Sequence, residues 1–297
     1  MTQKTWLALL SAMAILIAVA SGCETEKKST AEALRLIEQA HKSKDYDRMM
    51  SVADSLVNEG DLMPSTADYW RGYACDRLKR KSDAAMYWQA AIDKAANFTD
   101  AENVDIYVKA AGRLANQLSL SGDYEGTLKM AMPVTKRAEE LKCDTTSDYI
   151  NLLIYIGLCQ VSTGYSEEDT QIGLYRACEK HRENIERRHS DEAYKDAIAG
   201  LVNIAYYCVN AKQYEPALYY TRNFAELLIE YEQRSGVDAA YIDRQVGRFS
   251  IYKTVALDRL GRKEEAAEAY KTFLGTQFCK SAEGKSLENA YLQNLKL

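Results

Sequence analysis

The side chains of this 297-residue sequence best suited to metal chemistry are its three histidines, His41, His181 and His189. His181 and His189 lie eight residues apart on either side of an arginine-rich stretch, and no H-E-x-x-H or H-x3-H spacing accompanies them. A metal site typically needs three or four convergent ligands. We therefore predict no metal site, and we expect both of these histidines on the solvated surface of a helix.

Motifs of enzymatic chemistry do not occur in the sequence either. It contains no G-x-G-x-x-G motif, no P-loop and no G-x-S-x-G nucleophile motif. Adjacent acidic residues, such as those at 139–140 and 264–265, are expected to be exposed charges on helices. The sequence predicts that the protein is not an enzyme and has no cofactor.

The first 22 residues are predicted to be a secretory signal peptide. Lys4 precedes an apolar run from Trp6 to Ala20, which is shorter than the roughly 20 residues of a membrane-spanning helix. Ser21, Gly22 and Cys23 follow directly. Small residues before a cysteine resemble the lipobox of bacterial lipoproteins, although those proteins usually carry Leu where this chain has Ala20.

The lipobox resemblance implies that the Cys23 thiol receives a diacylglycerol, that the chain is cut before Cys23, and that the new amine is acylated, for example with palmitate. Several acyl chains together make a nearly permanent membrane anchor. Residues 23–30 would then be the lipidated cysteine and a polar tether. Ordinary secretion after Ala18-Val19-Ala20 is the alternative.

Six further cysteines follow Cys23, an even number that permits disulfides in an exported protein. None of them belongs to a C-x-x-C pair. Four fall on apolar faces of predicted helices, where we expect buried free thiols that act as small hydrophobes: Cys75, Cys159, Cys178 and Cys208. The other two, Cys143 and Cys279, lie near helix ends, and they either pair or stay reduced.

The composition of the chain favours an all-helical protein. Only 15 Gly and 3 Pro interrupt long stretches that are rich in helix-forming residues. A formal net charge of -5 argues against nucleic-acid binding, which requires a basic surface.

A short pattern of small and apolar residues repeats along the chain. Gly72 is followed by Ala84, Trp88 and Ala91, at steps of 12, 4 and 3 residues. A small residue on one helix lets a second helix cross closely, and the later positions continue one face of that second helix. Five further copies occur, the last with two extra residues in its turn: Ile37-Met49-Ala53-Leu56, Ala115-Thr127-Ala131-Val134, Ala205-Ala217-Thr221-Phe224, Thr254-Ala266-Tyr270-Phe273 and Gly157-Gln171-Tyr175-Cys178.

This pattern resembles the tetratricopeptide repeat over roughly residues 31–275. The resemblance implies an all-α solenoid of about six helix-turn-helix units in a domain of residues 31–297. Second helices recur every 35 to 49 residues rather than the family's 34, which predicts longer helices or connections. The last stretch, Ser281 to Leu297, is expected to be a capping helix or, alternatively, the start of a seventh unit.

Tyrosine is unusually frequent, with 21 residues against 5 phenylalanines. Five tyrosines occupy positions where the repeat itself favours aromatic packing: Tyr46, Tyr124, Tyr175, Tyr214 and Tyr270. A second set falls on first helices, where it is predicted to line a concave groove: Tyr69, Tyr73, Arg113, Asn116, Tyr155, Asn203, Tyr206, Arg248 and Tyr252. Tyr offers contact area and a hydroxyl at low entropic cost. Burial of these rings between adjacent first helices is the alternative.

These observations together predict a membrane-anchored tetratricopeptide lipoprotein that binds a protein or peptide outside the cytoplasm. Its place would be the bacterial cell envelope, at the outer membrane or the periplasmic face. The chain also resembles sensory regions of membrane histidine kinases from Bacteroidetes-like bacteria, so a sensory module is an alternative function. A glycan-binding helical lipoprotein is another, although only three Trp are present.

Overall fold

The computed structural model of this chain describes residues 31–97, 101–164, 172–234, 236–293 and 295, with side chains left out at 101 and 102. The signal peptide, Cys23 and the tether therefore lie outside the described residues, as does Gln171. Every regular element in the described part of the chain is a helix, and no strand occurs there.

The helices are numbered in chain order, and the first comprises residues 31–42. The others are α2 (Tyr46–Glu59), α3 (Pro64–Arg77), α4 (Lys81–Ala95), α5 (Ala101–Leu120), α6 (Tyr124–Glu140), α7 (Ser147–Ser162), α8 (Gly173–Arg188), α9 (Asp191–Asn210), α10 (Tyr214–Tyr219), α11 (Phe224–Glu232), α12 (Ala239–Arg259), α13 (Lys263–Gly275) and α14 (Ala282–Leu292). A short 3-10 helix, Phe278–Lys280, precedes α14.

The chain forms two compact units, which divide between Ala110 and Ala111. In the first unit, α2 packs against α3, and α3 packs against α4. In the second unit each of the helices α6 to α9 packs against the next, and α12 packs against α9, α13 and α14. This succession of paired helices confirms the predicted all-α, helical-repeat class.

The repeated small and apolar residues form the seams between paired helices. Ala84, Trp88 and Ala91 are buried in α4, and a Cβ atom added at Gly72 of α3 would lie 2.5 Å from Cδ1 of Trp88. Only a glycine allows this approach without a shift of the indole. The copies that begin at Ile37, Ala115 and Ala205 are likewise buried at all four positions. These repeat positions are therefore confirmed as buried, and the close approach that a small residue allows is shown at Gly72.

Five of the turns inside the pairs share one backbone conformation. Each contains a left-handed residue, and the next residue donates its N–H to a carbonyl five positions earlier, as in a Schellman motif. Lys44 has φ 58°, and the Asp45 N–H reaches the Ala40 oxygen at 3.0 Å. The same geometry occurs at Lys79, Gly122, Lys212 and Gly261. The left-handed conformation has a higher energy for lysine than for glycine, because lysine has a Cβ atom that approaches the following carbonyl oxygen.

The copy of the repeat that begins at Gly157 is paired differently from the prediction. Tyr175 was expected to pack in the core, but it is 37% exposed. The buried face of α8 carries Leu174 and Ala177 instead. Gly157 meets the start of this helix, since an added Cβ would lie 2.2 Å from the backbone nitrogen of Leu174. The prediction failed because the connection between α7 and α8 is longer than the spacing allowed for.

The second helix of the fifth pair is interrupted. Pro216 lies in the first turn of α10, where its missing N–H is tolerated. The helix ends at Tyr219, and α11 begins only at Phe224. By contrast, α6 continues through Pro133. The interruption matters because Tyr220 and Asn223, which lie in it, line a cavity.

Candidate functional site

A continuous row of tyrosines crosses the second unit. The hydroxyls of Tyr155 on α7 and Tyr207 on α9 are hydrogen-bonded at 2.6 Å. The Tyr206 ring lies 4.9 Å from the Tyr207 ring and 5.5 Å from that of Tyr252 on α12, measured between centroids. Tyr252 in turn meets Tyr291 of α14 at 5.3 Å. Such edge-to-face pairs stabilise one another beyond the burial of their area.

The members of this row differ in their exposure. Tyr155 is 7% exposed and Tyr252 is 1% exposed, so both rings are packed between helices, as the alternative prediction held. Burial raises the pKa of Tyr252 to about 12, and it also raises the pKa of Tyr155. Tyr206 and Tyr207 are half-buried and keep part of their rings at the surface.

Two arginines lie beside the row and supply positive charge. The Arg113 charge acts on the Tyr155 and Tyr207 hydroxyls, and the Arg248 charge acts on Tyr207 and Tyr252. In each case the arginine opposes the larger effect of burial on the pKa of the phenol. Arg113 is exposed and Arg248 is half-buried.

Two predicted groove residues are amides, and both are half-buried in the second unit. Asn203 lies on α9, one turn before Tyr207. Asn116 lies on α5, and its Oδ1 atom is buried without a hydrogen-bond partner among the described residues.

We define the Tyr–Arg surface as the accessible residues of this region, namely Arg113, Asn203, Tyr206, Tyr207 and Arg248. Sequence reasoning missed Tyr207 and Tyr291. Tyr207 follows Tyr206 directly, and neighbouring positions on a helix point about 100° apart. The spacing of the repeat therefore assigns only one of these two tyrosines to the groove. Tyr291 was missed because the sequence placed it in a capping helix rather than in a repeat.

Tyr69 and Tyr73 belong to the first unit and form a separate aromatic cluster. The Tyr73 hydroxyl is hydrogen-bonded to Nε2 of His41 at 2.9 Å, and the two rings meet at 5.2 Å. Trp70 lies 5.2 Å from Tyr69 and 5.9 Å from Tyr73. Tyr69 is 7% exposed, whereas Tyr73 is half-buried. The buried Tyr69 ring offers little surface to a ligand.

A cavity of about 270 Å³ lies between α8, α9 and α11. His181 lines it and is only 6% exposed, which contradicts the predicted solvated position. Burial lowers the pKa of His181 to about 4, so the imidazole is neutral at pH 7. Neither ring nitrogen has a hydrogen-bond partner among the described residues. His189, at the end of α8, is exposed as expected.

The six cysteines of the described part of the chain are free thiols. Cys75, Cys159 and Cys208 are buried, which confirms the prediction for these three, whereas Cys178 is of intermediate exposure. Burial raises the pKa of Cys159 to about 11 and that of Cys178 to about 12. Both thiols are therefore protonated at neutral pH and are weak nucleophiles. Cys143 and Cys279 are of intermediate exposure.

The described residues contain no group of three or more His, Cys, Asp or Glu that could hold a metal ion. Among the same residues, none of the helices combines the length and apolar character of a membrane span.

No protein-family model and no curated protein matches the chain. Among solved structures, the crystal structure of the apo form of RapI is similar, with a TM-score of 0.50 and 14% identity over 88% of this chain and 99% of RapI. BtubC (BKLC) from P. vanneervenii gives a TM-score of 0.41 and 16% identity, over 72% of this chain and 94% of BtubC. Both are helical-repeat proteins. The chain has an all-α helical-repeat fold. At this level of identity, the likeness to RapI extends to the fold of the helical-repeat chain and not to its ligand.

Proposed function

We propose that this helical-repeat protein is a scaffold that binds a protein or peptide partner outside the cytoplasm, held at a membrane by lipid on Cys23. The observation that carries the binding proposal is the Tyr–Arg surface. Helical repeats commonly act as extended binding surfaces, and a helical-repeat neighbour such as RapI agrees with a scaffold role.

The chemistry of the Tyr–Arg surface suits a partner that carries carboxylates. Tyr and Arg are the residue types that most often dominate binding energy at interfaces. An arginine guanidinium can hold a carboxylate through two parallel hydrogen bonds, and Arg113 and Arg248 supply two such groups. The buried rings of Tyr155 and Tyr252 fix Tyr206 and Tyr207 from behind, which lowers the entropic cost of binding. We infer an acidic peptide segment or a chain terminus as the bound element.

Charge reversal tests this surface directly. The Arg113→Glu/Arg248→Glu variant should capture its main partner from detergent extracts at least about tenfold less than the wild type, because two attractive contacts become repulsive. Capture is measured by quantitative mass spectrometry on protein purified from the native host.

Arg259→Glu is the matched control, since Arg259 is an exposed residue of the same helix as Arg248 and lies outside the Tyr–Arg surface. It should capture the partner as well as the wild type does. Equal capture by the double variant, with helix content unchanged by circular dichroism, would refute the binding surface. A captured membrane histidine kinase would favour the sensory form of the proposal.

The membrane anchor rests on the sequence around Cys23, and a single substitution tests it. In Cys23→Ser, no thiol is available for the diacylglycerol, so the protein should leave the membrane fraction and lose incorporation of labelled palmitate. Cys279→Ser, which alters a thiol of intermediate exposure near the C-terminal end, serves as the control and should remain in the membrane fraction. Retention of Cys23→Ser in that fraction would contradict lipid anchoring.

A further inference from the structure

Two tyrosine hydroxyls of the second unit share one hydrogen bond, which leaves one of their two protons without an acceptor. The pair consists of Tyr155 on α7 and Tyr207 on α9, whose hydroxyl oxygens are 2.6 Å apart. Each hydroxyl carries one proton, and only one of these protons can lie between the two oxygens. Among the described residues, neither hydroxyl has a second hydrogen-bond partner. The remaining proton therefore belongs either to Tyr155 or to Tyr207.

Burial decides between these two arrangements. Tyr155 is only 7% exposed, so a proton that it did not donate to Tyr207 would be buried without an acceptor. Tyr207 is half-buried and reaches the surface. Burial raises the pKa of both phenols, and the hydrogen bond raises the pKa of Tyr155 further but opposes the rise for Tyr207, as expected when Tyr155 is the donor. Tyr155 therefore donates to Tyr207, and the Tyr207 proton is available to a ligand.

Positive charge from two helices acts on the Tyr207 hydroxyl. Its sources are the guanidinium groups of Arg113 on α5 and Arg248 on α12. The nearest printed partner of Arg248 is a neutral amide, with its Nη1 atom 3.5 Å from Oε1 of Gln245, and no carboxylate of the described residues lies within ion-pair distance of it. A hydroxyl donor beside cationic groups favours an anionic acceptor at that position.

We propose that the Tyr207 hydroxyl, oriented by Tyr155, donates a hydrogen bond to a carboxylate of the bound peptide. This inference rests on the proposed function, because Tyr207 belongs to the Tyr–Arg surface. A hydroxyl that donates to an ionised carboxylate forms a short, charge-assisted bond. The bond that the Tyr207 oxygen accepts from Tyr155 fixes the direction of its own proton and strengthens it as a donor. Tyr207 is therefore a contact residue, whereas Tyr155 is a positioning residue that acts through it.

Two fluorescently labelled peptides, amidated hexaglutamate and amidated hexaglutamine, test the hydroxyl with and without carboxylates. Fluorescence anisotropy with the full-length chain in detergent should give saturable binding of hexaglutamate and much weaker binding of hexaglutamine. Tyr207→Phe should bind hexaglutamate about tenfold more weakly than the wild type, because a hydrogen bond to a charged acceptor is lost. Hexaglutamine binding should not change. Tyr219→Phe, which removes an exposed hydroxyl of α10 outside the Tyr–Arg surface, is the matched control and should bind as the wild type does.

A double-mutant cycle separates positioning by Tyr155 from a general effect on packing. Tyr155→Phe alone should weaken hexaglutamate binding about threefold, because the Tyr207 hydroxyl is no longer oriented. In the Tyr207→Phe background the same substitution should have no effect, since the group through which Tyr155 acts is absent. An equal loss in both backgrounds would refute the positioning role of Tyr155.

The charge-reversal variant Arg113→Glu/Arg248→Glu distinguishes failure of this inference from failure of the proposed function. If that variant loses hexaglutamate binding while Tyr207→Phe keeps the wild-type dissociation constant, the Tyr–Arg surface stands and the role of the hydroxyl is overturned. If the charge-reversal variant binds hexaglutamate as tightly as the wild type, the Tyr–Arg surface itself is refuted. A wild type that binds hexaglutamate no better than hexaglutamine would also overturn the inference, whereas capture from extracts tests the scaffold role separately.

Discussion

Replacing Gly157 by alanine is expected to lower the free energy of unfolding of the second unit by about 3 kcal/mol. The added Cβ atom would lie 2.2 Å from the Leu174 nitrogen and 2.9 Å from the carbonyl carbon of Gly173. These are backbone atoms at the start of α8, so they cannot rotate away as a side-chain end can. Helices α7 and α8 would have to separate, and the buried Leu153 and Leu174 side chains would lose packing.

The same substitution at Gly112 provides a control with the opposite expected sign. Gly112 lies within α5, and an added Cβ would have no atom within 4 Å. Alanine there should raise the free energy of unfolding by roughly 0.5–1 kcal/mol, because it loses less backbone entropy than glycine in a helix. Urea unfolding followed by circular dichroism measures both. Equal effects of the two substitutions would show that α7 and α8 do not approach closely at Gly157.

Acidification from pH 7 to pH 5 is expected to lower the free energy of unfolding by about 2 kcal/mol through His181 alone. Burial lowers the pKa of this imidazole from 6.5 to about 4 in the folded protein. Between these two values the unfolded chain binds a proton that the folded chain does not. The stability is therefore complete above about pH 6.5, and it is lost progressively as the pH falls towards 4.

The His181→Leu variant isolates this contribution from that of other titrating groups. Glutamates and Arg182 at the rim of the cavity are the same in both proteins, so they cancel in the difference between them. Urea unfolding at pH 7 and pH 5 should show a pH effect about 2 kcal/mol smaller in the variant. His189→Asn, at the exposed left-handed end of α8, should behave as the wild type does. If His181→Leu shows the same pH effect as the wild type, then folding does not lower the pKa of His181.

The helix pairs could be predicted from sequence because their signals are local and periodic. The residues at Gly72, Ala84, Trp88 and Ala91 keep one spacing, since a turn of constant length joins the two helices. The turn at Gly122 carries glycine, which the left-handed conformation favours. The turn at Lys79 adopts the same conformation with lysine in place of glycine, and no residue of this turn signals the left-handed conformation.

Predictions from the sequence were weakest where the burial or the contacts of a residue depended on how closely two helices pack. For Gly157, the sequence predicted Gln171 as the partner, whereas the structure places Gly157 against the start of α8 and leaves Tyr175 exposed. For His181, helical spacing placed it beside charged residues, but the packing of α9 at Gly200 covers it. Neither the contact made by Gly157 nor the burial of His181 can be predicted from the residue pattern of a single helix.

The sequence by itself determined that this protein is a succession of helix pairs, because alternation of small and large residues at helical spacing is a property of the chain. It also determined that tyrosine would be prominent on first helices. Only the tertiary structure decided which tyrosines remain accessible, since Tyr206 and Tyr252 have similar sequence surroundings but differ in how closely the neighbouring helix covers them. It also decided that His181 is neutral and lines a cavity, because desolvation depends on what packs against a residue rather than on its neighbours in sequence.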